Sequence, residues 1–275
     1  MKRHLERTAL VIAIVIAALG TPLAAQWPPY ATPGVPRTAD GKPDVEAQAP
    51  RTPQGTVDLS GLWQYVRRPG LPEPQPGALG QPRVGTSQFW DLGTGLTEPI
   101  PFTPWARDVR AKRMADESKN NPDAHCLPLG VTQMHTHNQP RLIVQTPRVV
   151  LYLHEANAGF RQIFTDGRPF PSNDPQPWYH GYSVGRWEGD TLVVETVGLR
   201  DDGWLDYNGS PITSTGKLTE RFRRTNFGTL DIEITVEDPR AYTRPWTAHV
   251  RNQITVDTEL FEFVCQENEK STRNF

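Results

Sequence analysis

After Arg141 the chain consists largely of short runs in which apolar and polar residues alternate. In 229–237 the even-numbered residues are apolar and the odd-numbered ones are polar, so an extended segment would have one dry face and one wet face. With the turn sequences that separate the runs, this pattern predicts ten strands. They are Asp58–Val66, Leu142–Thr146, Val149–Glu155, Phe160–Thr165, Gly181–Trp187, Thr191–Val197, Lys217–Thr225, Thr229–Glu237, Trp246–Val256 and Glu259–Cys265.

The connections between these strands predict the fold class. Most of them are of hairpin length, which favours an antiparallel meander. A long meander closes readily, because closure removes its exposed edges. We therefore predict an all-β protein whose residues 57–275 form a single domain, a closed antiparallel meander barrel.

Proline is concentrated before the barrel strands. Fifteen of the 27 prolines lie between positions 28 and 104. They predict a Pro-rich extended arm over 26–56 and an irregular segment over 67–102. Thr103 and Pro104 are typical of a helix start, with Thr as N-cap and Pro at the first helical position. One helix is predicted over about 104–119, inserted after the first strand.

The first 25 residues are typical of a secretory signal peptide. Lys2, Arg3 and Arg7 precede an apolar stretch over 8–20, and small residues follow up to Ala25. The apolar stretch is shorter than the ~20 residues of a membrane-spanning helix. We expect cleavage near Ala25 and a periplasmic or secreted protein with no membrane span; a retained N-terminal anchor is the alternative.

Charge, hydropathy and cysteine content narrow the function classes. The 29 Lys+Arg and 31 Asp+Glu residues argue against nucleic-acid binding, which needs an excess of basic residues. A mean hydropathy of -0.56 excludes a polytopic membrane protein. In an oxidising compartment Cys126 and Cys265 are expected to form one disulfide, with two buried free thiols as the alternative.

Two patterns suggest catalytic or metal chemistry. Residues 181–185, Gly-Tyr-Ser-Val-Gly, match the nucleophile elbow of α/β-hydrolases, but a second strand follows Ser183 where the elbow needs a helix. We therefore expect Ser183 not to be a nucleophile. His135 and His137 would share a face in an extended segment and could bind a metal ion, with His125, His154 or Glu155 as third ligand. Because the sequence fixes no third ligand, no metal or other cofactor is predicted.

Charged residues also lie on the predicted strands or near their ends. In a closed barrel several of them could face one cavity, where they must be paired or bound to a polar ligand. The candidates for acid–base catalysis are Glu155, His180, Asp206 and Glu220. The predicted ligand-binding residues are Arg161, Asp166, Arg168, Trp204, Asp206, Glu220 and Arg221, and Glu195 is a further charged strand residue. Surface ion pairs and an Asp-Gly turn at 166–167 are the alternative.

Eight motifs follow one another in a characteristic order. The longest is Gly181–Thr196, and the others are Asp58–Trp63, Cys126–Gly130, Asp166–Arg168, Trp204–Asp206, Glu220–Phe222, Asp238–Trp246 and Cys265–Asn268. In this order they resemble a large, mostly uncharacterised family of exported bacterial proteins, over roughly residues 57–268. The resemblance implies no particular chemistry. Members often carry a His-Pro-His-Ser run after the Trp-Leu-Asp motif, whereas Gly209–Thr213 contains no histidine, which puts chemistry based on that run in doubt.

A second, shorter resemblance concerns the first strand. Gly61-Leu62-Trp63 is similar to the Gly-x-Trp signature of lipocalins, which implies a lipocalin-like barrel with Trp63 closing one end. We expect a barrel that binds a small, partly apolar or aromatic molecule in a charged and aromatic internal pocket. One or two of the eight tryptophans would line that pocket, and the others would pack in the core. The alternatives are an exported lyase, isomerase or hydratase that uses the same cavity, and a serine hydrolase acting through Ser183.

Overall fold

The computed structural model describes residues 31–71, 87–172 and 177–267. The predicted signal peptide lies outside these residues, as do positions 72–86 of the predicted irregular segment. Within the described ranges, no helix is long and apolar enough to cross a membrane.

The described residues form eleven strands, nine of which close into a barrel. The barrel strands have the order β1-β11-β10-β9-β6-β5-β4-β3-β2, and β7 and β8 form a separate hairpin. The strands are β1 Gly61–Val66, β2 Arg141–Gln145, β3 Val149–His154, β4 Gly159–Phe164, β5 Tyr182–Glu188, β6 Thr191–Val197, β7 Gly203–Trp204, β8 Pro211–Ile212, β9 Lys217–Arg224, β10 Thr229–Glu237 and β11 Trp246–Thr255.

The predicted all-β closed barrel is confirmed, with two corrections. The barrel has nine strands where ten were predicted, because Glu259–Cys265 forms no strand. The pairing is also not wholly antiparallel, since β4 and β5 run parallel. Their register is short and joins only Ile163 with Ser183 and Phe164 with Val184.

Side-chain alternation fills the barrel interior. In β10 the residues at 230, 232, 234 and 236 are buried, and their neighbours in sequence are only partly buried. The largest interior side chains include Trp63, Tyr152 and Phe222, each at most 1% exposed. The Trp63 indole donates to the Leu59 carbonyl, and the Arg224 guanidinium stacks 4.9 Å from the centre of its ring.

Besides the strands, the described residues form two α-helices. Helix α1, Pro104–Ala115, begins where predicted, and the Thr103 hydroxyl accepts a hydrogen bond from the Ala106 amide. It ends at Ala115, four residues before the predicted end at 119. Glu117 and Ser118, which follow it, have positive φ angles and do not continue the helix. Helix α2, Val131–Thr136, was not predicted, and all six of its residues are buried. Short 3-10 segments occupy Pro122–His125 and Ala156–Ala158.

The segments on either side of the barrel are fastened to it. In the arm, Arg37 bonds Asp257 at 2.6 Å and Arg51 bonds Asp190 at 2.8 Å. The disulfide between Cys126 and Cys265 is formed, as predicted, with the Cα atoms 5.6 Å apart. It ties the segment after β11 to the loop that follows the first 3-10 segment.

Candidate ligand-binding site

A cleft opens where β4 and β5 meet. Their parallel register covers only two residue pairs, so β4 and β5 are unpaired along the rest of their length. The cleft has a volume of about 340 Å³. Its lining residues are Pro128, Gly159, Phe160, Arg161, Gln162, Phe164, Trp178, Tyr179, His180, Gly181, Tyr182 and Ser183.

The walls of the cleft are aromatic. Phe160 and Trp178 are 61% and 47% exposed, unusually high fractions for side chains of this size. Tyr182 makes ring contacts with Phe164 at 5.3 Å and with Trp178 at 6.0 Å between centroids. A contiguous aromatic surface of this kind suits a flat or partly apolar ligand.

The floor of the cleft is formed by inward-facing residues of the two strands. Arg161 is 2% exposed and Ser183 is 1% exposed. The Arg161 Nε donates to the Ser183 hydroxyl at 3.0 Å, and one terminal nitrogen donates to the Thr196 hydroxyl at 2.8 Å. The arginine side chain therefore reaches across the interior faces of β5 and β6.

Arg161 ends at a carboxylate on β9. Its two terminal nitrogens donate to the two oxygens of Glu220, one of them at 2.9 Å, which makes the ion pair bidentate. Burial alone would raise the pKa of Glu220, but Arg161 and a hydrogen bond from His135 outweigh it and hold the pKa at about 2. Glu220 is therefore an anion at neutral pH, matched by a buried cation.

A histidine and a tyrosine continue this network. Since a carboxylate only accepts, the His135 Nε2–H donates to Glu220 at 2.6 Å, and the Tyr152 hydroxyl lies 3.0 Å from Nδ1. Burial lowers the pKa of His135 and raises that of Tyr152, so both are neutral at pH 7. Tyr152 then donates to the ring. Each of these groups is fully enclosed and has a partner.

Helix α2 carries His135 into the barrel, and a second arginine holds the helix there. Arg141 is fully buried and donates to the carbonyls of His135 at 2.6 Å and His137 at 2.8 Å. It also donates to the Asn252 side chain of β11 at 2.7 Å. These bonds use the carbonyls at the C-terminal end of the helix, which its own backbone leaves without partners.

His180 lies between the interior and the cleft. Its Nδ1 is 3.0 Å from the Phe160 carbonyl, and because a carbonyl only accepts, Nδ1 carries the proton. Burial lowers the pKa of His180 to about 4, with the charge of Arg161 acting in the same direction. The ring is therefore neutral at pH 7, and Nε2 is left as an acceptor. That atom is buried and has no hydrogen-bond partner among the described residues.

Asp166 and Arg168 support one wall of the cleft from outside. They form a bidentate pair, and the Arg168 guanidinium lies 3.8 Å from the centre of the Phe164 ring. The hydrogen bonds from Arg168 lower the pKa of Asp166. Arg168 also approaches the Tyr182 hydroxyl at 3.5 Å. The pair holds aromatic wall residues in place and is not among the lining residues.

The other predicted site residues lie elsewhere, so the structure does not bring the predicted set into one internal pocket. Asp206 is buried and accepts from the amides of Leu92 and Ser210, and burial together with nearby Asp91 raises its pKa to about 6. Trp204 packs under Arg113, 4.3 Å from the ring centre. Three more are on the surface: Arg221 with Glu188, Glu195 near Arg186, and Glu155 with the Phe261 amide.

The two sequence patterns for metal and nucleophile chemistry take other conformations. The prediction that His135 and His137 share a face assumed an extended segment. In the structure His135 lies in helix α2 and His137 directly follows it, so that condition is not met. No group of three potential metal ligands occurs in the part of the chain that the structure describes. Ser183 lies within β5 and bonds Arg161 and Thr196, and it has no histidine partner among the described residues.

Sequence reasoning missed several residues of the site. Tyr152 and Thr196 were counted only as strand residues, and Phe160 and Tyr179 were not singled out. One signal was available, since Trp178-Tyr179-His180 places three rings in succession just before a strand. Comparison with protein-family models, curated proteins and solved structures found no match to the chain.

Proposed function

We propose that this is an exported protein that binds a small, partly apolar or aromatic molecule in the cleft between β4 and β5. The observation that carries the proposal is the exposed aromatic pair Phe160 and Trp178 within a cleft of about 340 Å³. Small-molecule sites have volumes of roughly 300–1,000 Å³ and are mostly apolar with a few polar groups. The cleft has this composition, with Arg161, Gln162, His180 and Ser183 as polar members.

The buried network behind the cleft supports a binding role. A site is selective when its supporting residues hold their positions. The hydrogen bonds from Arg161 to Ser183, Thr196 and Glu220, and from His135 to Glu220, hold the floor of the cleft in place. Glu220 and His135 are both 0% exposed, so a bound molecule in the cleft would not touch them. Of the four acid–base candidates only His180 lines the cleft, so the cleft holds no second candidate to pair with it, which favours the ligand-binding interpretation over the acid–base enzyme.

Export is the second part of the proposal. The Cys126–Cys265 disulfide is typical of proteins in oxidising compartments. The signal-like sequence before Gln26 points in the same direction. Edman sequencing of protein from the periplasm or medium should begin at or near Gln26, and an intact Met1 in the exported fraction would contradict cleavage.

The binding proposal can be tested with naphthalene as an apolar probe. We expect Phe160→Ala to weaken naphthalene binding about 2- to 10-fold in equilibrium dialysis, since one aromatic contact contributes about 0.5–1.5 kcal/mol. Phe263→Ala is the matched control, because Phe263 is 40% exposed but does not line the cleft. Equal losses in the two variants, or no binding by the wild type, would exclude this cleft as the site.

A further inference from the structure

Among the described residues that line the cleft, His180 alone has a buried polar atom without a hydrogen-bond partner. It is 9% exposed, lines the cleft, and its Nε2 has no hydrogen-bond partner among the described residues. A buried acceptor without a partner is costly, at about 1–3 kcal/mol. A group that donates a hydrogen bond into the cleft would remove that cost.

The surroundings of the ring fix which kind of group that must be. The Nδ1–H is already used by the Phe160 carbonyl, so the ring cannot turn over without breaking this bond. In the neutral ring Nε2 then only accepts. Burial and the charge of Arg161 disfavour a second proton on the ring; the backbone groups of Phe160 and Leu129 favour one, but the net effect still lowers the pKa of His180. A carboxylate or another pure acceptor would thus gain nothing at Nε2.

We infer that the cleft selects flat aromatic molecules that carry a hydroxyl or N–H donor, with His180 Nε2 as the acceptor that recognises it. The inference rests on the proposed function, because it names the ligand class of the same cleft. Phe160 and Trp178 would supply stacking or edge contacts to the ring system. His180 would supply the polar contact at the inner end.

A comparison of 2-naphthol with naphthalene tests the inference, since the two probes differ by one hydroxyl. The wild type should bind 2-naphthol about 3- to 10-fold more tightly than naphthalene, the usual range for one hydrogen bond. In His180→Asn the amide nitrogen can still donate to the Phe160 carbonyl, but the Nε2 acceptor is gone. This variant should show no preference, or a preference for naphthalene, because the hydroxyl then loses its water without replacement.

His180→Gln is the matched variant, since its amide oxygen can take the place of Nε2, and it should keep part of the preference. Thermal melting of all three proteins shows whether each is folded. Equal binding of the two probes by the wild type, or a preference that survives in His180→Asn, would overturn the role of His180 and leave the cleft as a binding site. If the wild type binds neither probe, the proposed function fails as well.

Discussion

Replacing Glu220 by Gln should destabilise the barrel by about 3 kcal/mol. The change keeps the size of the side chain and one acceptor oxygen, but leaves the buried Arg161 charge without its counter-ion. Breaking a buried ion pair in this way costs about 3–5 kcal/mol. A second route gives a similar figure: a pKa of about 2 for Glu220, against an ordinary 4.5, corresponds to roughly 3 kcal/mol in favour of its charged form.

The measurement is equilibrium urea unfolding at pH 7 with the disulfide intact, followed by tryptophan fluorescence. Glu188→Gln is the matched control, because Glu188 pairs with Arg221 at 3.1 Å but both side chains are 41% exposed. Exposed pairs contribute about 0–1 kcal/mol. If the two substitutions lower the free energy of unfolding equally, the buried pair does not have the stabilising role argued from its geometry.

The pH dependence of this loss gives an independent check. The pKa of Glu220 is lower in the folded protein, so its contribution is complete above about 4.5 and disappears as the pH falls towards 2. The difference in unfolding free energy between wild type and Glu220→Gln should therefore shrink in acid. A difference that stays constant from pH 7 to pH 3 would mean that altered packing, and not charge, causes the loss.

Three further outcomes follow from the geometry. Gly181→Ala should lower the free energy of unfolding in urea more than Gly167→Ala does. Both glycines have positive φ, but a Cβ at Gly181 would lie 2.7 Å from two neighbouring atoms, whereas a Cβ at Gly167 would meet nothing within 4 Å. Equal losses would contradict this. Between pH 4 and 6.5 the His180 ring is neutral in the folded protein and protonated in the unfolded one. The free energy of unfolding of the wild type should therefore fall as the pH falls, more steeply than that of His180→Asn by up to about 1.4 kcal/mol per pH unit. Parallel profiles of the two proteins would refute this prediction. Thiol titration of the denatured, unreduced protein should find no free thiol, and reduction of Cys126–Cys265 should lower the free energy of unfolding by up to about 5 kcal/mol; two free thiols per chain would disprove the disulfide.

The parts of the fold that the sequence predicts are those with a local signal. β10 has one buried and one solvated face, so its alternation is visible in the residues themselves. The start of α1 is visible for the same reason, since Thr103 and Pro104 act within one turn. Helix α2 has no such signal: it is six residues long and buried on every side, so no polar face marks its period.

The buried network has no local signal either. Arg161 and Glu220 lie 59 positions apart, on strands separated by β5 and β6 around the barrel. Their contact depends on the registers of the three strand pairs between β4 and β9. A shift of one residue in any of these registers would turn the side chains to the opposite face of the sheet. Arg221 illustrates this sensitivity, since it is adjacent to Glu220 in sequence but lies on the outer surface.

The position of the cleft follows from the number of strands. Strands in a closed ring can alternate in direction all the way round only if their number is even, so nine strands must include a parallel pair. Parallel neighbours need a crossover in place of a hairpin, and the chain makes such a crossover between β4 and β5. The end of this crossover brings Trp178, Tyr179 and His180 beside the shortest register in the barrel. There the His180 Nδ1–H donates to the Phe160 carbonyl, so the end of the crossover is bonded to β4 through a side chain.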